Sequence, residues 1–312
     1  MCARPGCVLG ASIVPVGKLR RVTWDRVKPV PSGSPARRTT TKTHSIAGGG
    51  GIRVHVVETG NPQGRPIVFI HGASQCWLQW SRQMNSRLAE EHRLVAFDMR
   101  GHGVSDKPRD GYNDSKLWAD DVHAIIQALD LDHPVLSGWS YGPLVFLDYI
   151  RHYGDDRLGG LQCVGAITKL GSEDAMSVLT PEFLSLVPEL FSTDTEMSVR
   201  GLGSLLRLCF AEVPSTSELF LMLGYNVSVP PYVRQGLFSR FFHNDDLLPK
   251  IRTPVLITHG AADAIVTRAA VDQHRAAMPH AQVQLMANTG HAAFWDDAAG
   301  FNERLHAFCE SL

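Results

Sequence analysis

A serine lies between two glycines where a strand pattern gives way to a helix pattern. Residues 138–142 have the sequence GWSYG, follow the apolar run 134–136 and precede apolar residues at helical spacing in 144–150. A serine on so tight a turn has strained backbone, and side chains two residues away would collide with the strand and the helix. Glycine removes the Cβ at both places. The pattern therefore predicts a strand, a sharp turn and a helix, with the Ser140 hydroxyl exposed at the apex.

Strand-like and helix-like segments alternate along most of the chain. The strand-like segments are 52–57, 66–70, 93–97, 134–138, 164–167, 254–258 and 282–286. The helix-like segments are 77–91, a helix capped by Asn113 or Asp114, the segment after the serine turn, 267–277 and 298–311. Such alternation predicts an α/β fold, with a mostly parallel sheet of the eight-stranded type flanked by helices.

Two segments depart from this alternation. Residues 169–246 contain short helical patterns broken by prolines, and they predict a helical cap inserted into a core made of 46–168 and 247–312. Residues 1–45 hold five prolines, nine basic residues and one acidic residue, a net charge of +8, and predict a disordered basic N-terminal extension. An unstructured tail and an organelle-targeting segment both fit this composition. The glycines at 48–51 predict a flexible junction.

Charge and cysteine content exclude several classes of protein. The 267 residues after the extension carry 21 basic and 30 acidic side chains, a net charge of −9, which argues against nucleic-acid binding by the folded part. The six cysteines are scattered without a C-x-x-C pair, so neither a disulfide framework nor a zinc site is predicted. No apolar run approaches the ~20 residues of a membrane span. These features favour a cytoplasmic protein of undetermined oligomeric state that acts on a small molecule.

Three polar residues follow three of the predicted strands. Ser140 follows the strand at 134–138, Asp263 follows 254–258, and His291 follows 282–286. Sites in parallel sheets form at the carboxyl ends of the strands, so these side chains are expected to meet. A serine hydroxyl needs a base such as histidine, and a carboxylate on the far imidazole nitrogen fixes the tautomer. We therefore predict a Ser140, His291, Asp263 catalytic triad, with Asp296 and Asp297 as alternative acids.

Residues 52–312 resemble the α/β-hydrolase fold superfamily of serine hydrolases, in the esterase, lactonase and non-haem-haloperoxidase-like group. The motifs that carry this resemblance are His71-Gly72, DMRGHGVS at 98–105, GWSYG at 138–142, Gly260-x-x-Asp263 and Gly290-His291. Relatives that open epoxides or displace halide carry aspartate at the apex of the turn. Ser140 stands there in this chain, which favours acyl chemistry.

An oxyanion hole is expected beside Ser140. The backbone N–H of Tyr141 lies at a predicted helix N-terminus next to the hydroxyl and can donate to a developing oxyanion. The resemblance implies a second donor on the residue after His71-Gly72, which is the Ala73 N–H, with Ser74 as the alternative. Trp139 is expected to line the substrate pocket.

The predicted function is hydrolysis of a small to medium, uncharged carboxylic ester or related acyl substrate through an acyl-enzyme. No cofactor or metal is predicted. Three alternatives stay open at this point: a carbon–carbon bond hydrolase on the same triad, a perhydrolase, and a ligand-binding receptor that retains the fold.

Overall fold

In the computed structural model, which describes residues 40–312, eight strands form one sheet. The strands are β1 (Lys42–Ala47), β2 (Arg53–Gly60), β3 (Pro66–Ile70), β4 (Arg93–Phe97), β5 (Val135–Trp139), β6 (Gly160–Val164), β7 (Val255–Gly260) and β8 (Gln282–Met286). Their order across the sheet is β1-β2-β4-β3-β5-β6-β7-β8. The pairs β1–β2 and β2–β4 are antiparallel. The remaining pairs, β4–β3, β3–β5, β5–β6, β6–β7 and β7–β8, are parallel. This confirms the predicted mostly parallel α/β sheet.

The α-helices of the described chain flank the sheet or belong to the segment between β6 and β7. They are α1 (Ser81–Met84), α2 (Leu88–Glu91), α3 (Ser115–Ala128), α4 (Gly142–Tyr153), α5 (Glu173–Ser177), α6 (Pro181–Leu190), α7 (Thr195–Leu208), α8 (Thr216–Val227), α9 (Pro231–Phe238), α10 (Ala269–Ala277), α11 (Ala293–Asp296) and α12 (Ala298–Glu310). Asp114 caps α3, and its side chain accepts a hydrogen bond from the Lys116 N–H. Among residues 40–312, no helix combines the length and apolar character that a membrane crossing needs.

Helices α5–α9 form the predicted insertion between β6 and β7. The base of the insertion is closed by an antiparallel β-bridge between Leu170 and Phe242, and a second bridge joins Leu179 to Val266 beyond β7. Each of α5 to α8 begins at a Ser, Thr or Asp whose side chain accepts a backbone N–H, which accounts for their starts. Prolines lie at or beside the starts of α6, α8 and α9, as the sequence pattern predicts, whereas Pro188 lies inside α6 and does not end it.

Two predicted elements have different bounds. The strand predicted at 164–167 is Gly160–Val164, because Gly165 has a φ of +48° and the chain turns there. The helix predicted at 77–91 is divided into a 3₁₀ turn at Trp77–Trp80 and the short helices α1 and α2. Ser86 interrupts it, since its hydroxyl donates to the Gln83 carbonyl and accepts from the Leu88 N–H in competition with the helix.

The predicted extension 1–45 ends too late in the sequence. Lys42–Ala47 is a strand whose residues pair with Arg53–Glu58 of β2, so residues 42–45 belong to the folded body. The sequence of this edge strand, KTHSIA, lacks an apolar run that would indicate a strand, because Ile46 is its one buried side chain. Residues 1–39 of the predicted extension lie outside the described residues.

The glycines at 48–51 are not a flexible junction, because a buried ion pair fixes this turn. Arg100 and Asp121 are 1% and 2% exposed and pair with an Nε–Oδ2 distance of 2.7 Å. The Gly49 N–H donates to Asp121 Oδ1, and the Gly49 carbonyl accepts from Arg100 Nη2. The loop after β4, helix α3 and the β1–β2 turn are therefore joined through one charged pair.

Replacing Asp121 with asparagine should lower the free energy of unfolding by about 3–5 kcal/mol, because it leaves the Arg100 cation buried without its counter-charge. Denaturant unfolding followed by circular dichroism measures the change. The matched control is Asp120→Asn, one residue earlier on α3, where the pair with Lys116 is solvated and should contribute much less to the free energy of unfolding. Equal losses in the two variants would contradict this account.

Candidate active site

Ser140 occupies the sharp turn between β5 and α4 that its flanking glycines predict. Its φ is +57°, in the left-handed region that non-glycine residues rarely adopt. A Cβ on Gly138 would lie 2.7 Å from the Pro143 nitrogen, and one on Gly142 would lie 2.5 Å from the Ile70 carbonyl oxygen. Side chains at either position would therefore push β5, β3 and α4 apart. The strained turn directs the Ser140 side chain into a cavity under the inserted helices.

His291 and Asp263 meet in the loops that follow β8 and β7. His291 Nδ1 lies 2.9 Å from Asp263 Oδ2, and both side chains are nearly inaccessible to solvent. The other oxygen of Asp263 accepts the N–H groups of Ile265 and Val266 at 2.8 and 2.9 Å. Burial raises the pKa of Asp263, but His291, His259 and the Val266 N–H together outweigh it and hold the pKa below its usual value. Asp263 is therefore an ionised acceptor for the His291 ring.

Two further contacts fix the backbone of the His291 loop. Trp139, next to the nucleophile candidate, donates its indole N–H to the His291 carbonyl at 3.0 Å. Asp296 accepts the N–H groups of Gly290 and Ala211 at 2.7 and 2.9 Å. Asp296 is thus occupied as a loop anchor, and Asp297 caps α12 through the Gly300 N–H. Neither alternative acid contacts the His291 ring, which leaves Asp263 as the partner.

The backbone around Ser140 distinguishes the two candidate oxyanion donors on the β3 loop. The Ser74 N–H donates to His102 Nε2 at 3.2 Å and is therefore engaged. Within residues 40–312, the Ala73 and Tyr141 N–H groups donate no hydrogen bond, and both residues line the same cavity as Ser140. Tyr141 is the N-cap of α4, whose N-terminal dipole favours negative charge. The geometry favours the Ala73 and Tyr141 pair.

Two buried histidines connect the β3 loop to the β4 loop. His71 Nδ1 donates to the Gly72 carbonyl and its Nε2 accepts the Met99 N–H. His102 Nδ1 likewise donates to the Arg100 carbonyl, so its Nε2 can accept from Ser74. Both rings are fully buried, and burial lowers the pKa of His71 well below its usual value and that of His102 to about 4. Both are therefore neutral groups that connect the two loops.

Acid should destabilise this arrangement. Because burial holds the pKa of His102 at about 4 in the folded protein against ~6.5 when unfolded, its stabilising contribution is present above pH ~6.5. That contribution is lost as pH falls toward the folded value, at up to ~1.4 kcal/mol per pH unit. The free energy of unfolding, measured between pH ~6.5 and ~4, should decrease as the pH is lowered. In the His102→Gln variant it should decrease less steeply. A slope unchanged by that variant would contradict the assignment.

A largely apolar cavity lies between Ser140 and the inserted helices. The residues of β-strand ends and loops that line it are Gly72, Ala73, Ser74, Gln75, Trp139, Ser140, Tyr141, Ile167, Ile265, Val266 and His291. The residues of the insertion that line it are Leu179, Phe183, Leu190, Phe191, Leu205, Cys209, Arg234 and Phe238. This cavity is thus bordered by five residues that the sequence predicts as site residues, namely Ser140, His291, Ala73, Tyr141 and Trp139.

The structure also brings together a possible metal-binding group that sequence reasoning missed. His92, His306 and Glu310 place one ligand atom each within 4.8 Å of one another. His92 precedes β4, at the end of the parallel strands opposite Ser140. His92 Nε2 and His306 Nδ1 are 3.0 Å apart, so a hydrogen bond accounts for the pair. This cluster is therefore separate from the Ser140 cavity.

The order of the strands, the serine turn and the loop positions of His291 and Asp263 point to one family. Residues 65–298 match the family model described as alpha/beta hydrolase fold. The chain belongs to the alpha/beta hydrolase family. As a member, this hydrolase carries its nucleophile candidate, acid and histidine after β5, β7 and β8 in the chain order that the class uses.

Known alpha/beta hydrolases resemble the chain over most of its length. The crystal structure of the esterase RhEst1 from Rhodococcus sp. ECU1013 is 33% identical, with a TM-score of 0.82, and the alignment covers 86% of this chain and 99% of that one. The AB hydrolase superfamily protein YisY of Bacillus subtilis is 29% identical over 80% of this chain and 92% of its own. The bifunctional esterase/perhydrolase DCH of Acinetobacter calcoaceticus is 30% identical over 66% and 77%.

Proposed function

We propose that this alpha/beta hydrolase is a serine esterase that cleaves carboxylic esters or related acyl substrates through an acyl-enzyme. The observation that carries the proposal is the arrangement of Ser140, His291 and Asp263: the first two line one cavity, and Asp263 accepts from His291 Nδ1 at 2.9 Å. The names of RhEst1 and DCH, both of which include esterase activity, support the reaction class.

In the acylation step, the Ser140 oxygen attacks the ester carbonyl carbon while His291 Nε2 accepts the hydroxyl proton. Asp263 fixes the tautomer by accepting from Nδ1, which leaves the Nε2 lone pair directed away from the acid and available as the base. The hydrogen bond between a catalytic nucleophile and its base commonly becomes short and well aligned only with substrate in place. The resulting imidazolium is stabilised by the ionised Asp263.

The negative charge that develops on the carbonyl oxygen is stabilised by the Ala73 and Tyr141 N–H groups. Their preorganisation rests on the neighbouring contacts: His102 orients the loop through Ser74, and the start of α4 orients Tyr141. Donors that need no reorganisation during the reaction are worth about 10²–10³ in rate each. His291 then returns its proton to the alcohol as it leaves.

Deacylation uses the same groups in reverse. A water molecule enters the vacated alcohol position, His291 Nε2 takes one of its protons, and the hydroxide attacks the acyl carbon. The tetrahedral intermediate collapses, Ser140 recovers its proton from His291, and the carboxylic acid leaves. Hydrogen peroxide in place of water would give a peracid, which is the second activity in the name of DCH.

A graded set of p-nitrophenyl esters from acetate to octanoate tests the proposal, with phenolate release as the signal. Parallel reactions with a lactone, with acetate plus hydrogen peroxide and with a vinylogous diketone distinguish esterase, perhydrolase and carbon–carbon hydrolase activities. An organophosphate should label Ser140 and abolish turnover. If only the diketone reacts, the enzyme cleaves carbon–carbon bonds. If the purified protein turns over none of these substrates and the organophosphate labels no residue, the protein is not a serine hydrolase.

The inserted helices should set the preferred acyl length. Phe183 on α6 is 7% exposed and lines the cavity. Phe183→Ala enlarges the pocket, so longer acyl esters should gain relative to short ones by roughly 10–200-fold in kcat/KM ratio, the range for a pocket methylene. The matched control is Phe220→Ala on α8, where the ring is 69% exposed. Uniform loss across the ester series in Phe183→Ala would show that the side chain only stabilises the insertion.

A further inference from the structure

The wall of the substrate cavity contains a buried arginine that has no acidic partner among the described residues. Arg234 on α9 is 2% exposed and lines the same cavity as Ser140 and His291. We propose that Arg234 binds a carboxylate of the substrate, so that the natural substrates are esters or related acyl compounds carrying an anionic group away from the scissile bond. This inference rests on the proposed esterase function and specifies its substrate class.

Every hydrogen-bond acceptor of Arg234 in the described chain is neutral. Nε donates to the Leu190 carbonyl at 2.7 Å, Nη1 to the Val229 carbonyl at 2.5 Å and Nη2 to the Ser198 hydroxyl at 2.6 Å. A guanidinium has five N–H donors, and each of the two terminal nitrogens carries two of them. One N–H on Nη1 and one on Nη2 therefore have no acceptor among the described residues. The two oxygens of a substrate carboxylate could accept one each.

The other buried arginines show what this chain does with such a charge. Arg100 pairs with Asp121 at 2.7 Å, and Arg240 pairs with Asp148 at 2.7 Å, with both members of each pair at most 3% exposed. Arg234 forms no ion pair within residues 40–312, and the described residues that line the cavity include no aspartate or glutamate. Arg234 is thus the exception among the three buried guanidinium groups in the described chain.

An unpaired buried cation is costly, and burial alone lowers the pKa of Arg234 from its usual value. The three neutral acceptors stabilise the charge only through their dipoles. A substrate carboxylate would supply the missing counter-charge inside the low-dielectric cavity, where charge-assisted hydrogen bonds are stronger than neutral ones. The residue is therefore placed to favour an anionic ligand over a neutral one of the same shape.

Few polar side chains line the cavity beside Arg234. Gln75, which is 2% exposed, lines the cavity and exchanges amide hydrogen bonds with Asn226. Arg234 and His102, whose Nε2 contacts Ser74, are close enough for the Arg234 charge to lower the His102 pKa. The rest of the insertion presents apolar side chains to the cavity. A substrate with an apolar chain and one anionic end fits this division, in place of the uncharged substrate predicted from the sequence.

The test compares matched substrates that differ only in charge. Monomethyl esters of succinate, glutarate and adipate are each paired with the analogue in which a carboxamide replaces the carboxylate. At pH 8 the carboxylates are fully ionised. The wild-type enzyme should prefer the anionic member of at least one pair in kcat/KM, and Arg234→Gln should lower that preference by about 10- to 100-fold, the range for charged hydrogen bonds. Arg234→Lys, which keeps the charge, should retain part of the preference.

Arg200→Gln is the control, because it removes a positive charge from the same insertion at an exposed position paired with Glu189. It should leave the preference unchanged. If Arg234→Gln lowers kcat/KM equally for both members of each pair, Arg234 only connects the inserted helices, and the proposal is overturned. If Arg234→Gln does not fold, the wild-type enzyme alone is compared on the substrate pairs. A preference for the carboxamide in every pair then overturns the proposal as well.

Failure of the esterase function gives a different result. In that case no methyl ester is cleaved in a Ser140-dependent way, whatever its charge. The anion site is then tested directly by calorimetric titration of glutarate into the wild-type protein and Arg234→Gln. Saturable binding that the variant loses supports the site, and equal heats in both proteins overturn it. Ser140-dependent cleavage without a charge preference overturns the anion site alone.

Discussion

The Ser140→Ala variant should fold normally and lose at least ~10³-fold in kcat toward esters, because removal of a triad nucleophile typically costs that or more. The expected fold retention follows from the position of Ser140, which lines the cavity, so that removing its hydroxyl leaves the packing of the core unchanged. Ester hydrolysis by purified protein measures the loss, and thermal melting checks the fold. Alanine at an apex with a φ of +57° keeps the backbone geometry that serine already adopts.

The control for this experiment is Ser185→Ala, which removes an exposed hydroxyl from α6 that donates only to the Glu182 carbonyl. It should retain wild-type turnover. Peptide mass spectrometry after organophosphate treatment identifies the nucleophile independently. Label on a serine other than Ser140, or an Ser140→Ala variant with undiminished turnover, would remove Ser140 from the mechanism.

The Asp263→Asn variant should keep the fold and reduce kcat by up to ~10⁴-fold through loss of tautomer control. The Asp263 carboxylate accepts His291 Nδ1–H on one oxygen and two backbone N–H groups on the other. An amide oxygen can accept the backbone N–H groups, but the amide nitrogen then donates toward His291 and moves the ring proton to Nε2. The base that Ser140 needs is thereby blocked.

Asp297→Asn is the matched control, since Asp297 follows the same loop and caps α12 without contact to His291. It should change kcat little. The double variant Ser140→Ala with Asp263→Asn should be no slower than Ser140→Ala alone, because triad residues act as a unit. Full activity in Asp263→Asn would show that His291 does not rely on Asp263 and would require another acid.

The sequence reveals those parts of the fold that depend on local rules. The serine turn is predictable because a serine between two glycines, after a strand pattern and before a helix pattern, is itself a local signal, although only the Gly138 contact with Pro143 is local and the Gly142 contact with Ile70 is not. The bounds of β6 are not evident from the sequence, because its centre carries the polar residue Gln162. Gln162 is buried only because Ser137 and Thr258 on the adjacent strands bond its amide at 2.8 and 3.0 Å. Those partners are separated from it in sequence.

The same limit applies to the candidate site. The order of Ser140, Asp263 and His291 follows from their positions after strands, which the sequence indicates. The choice between Ala73 and Ser74 depends on His102, which lies in the loop after another strand and engages the Ser74 N–H. The sequence does not single out Arg234 as a site residue, because its neighbours in α9 do not indicate that it is buried. The absence of an acidic partner is a property of three-dimensional surroundings and cannot be seen in one segment.

The β-bridge between Leu170 and Phe242 has a consequence for how such an enzyme can change. Because strands β6 and β7 are neighbours, the chain leaves the sheet and returns to it at almost the same place. The intervening helices can therefore be lengthened, shortened or exchanged for those of a relative with little added loop-closure entropy, which grows only slowly with length. A chimaera joined at Leu170 and Phe242 would inherit a new substrate preference while retaining the elbow, the acid and the histidine of the parent.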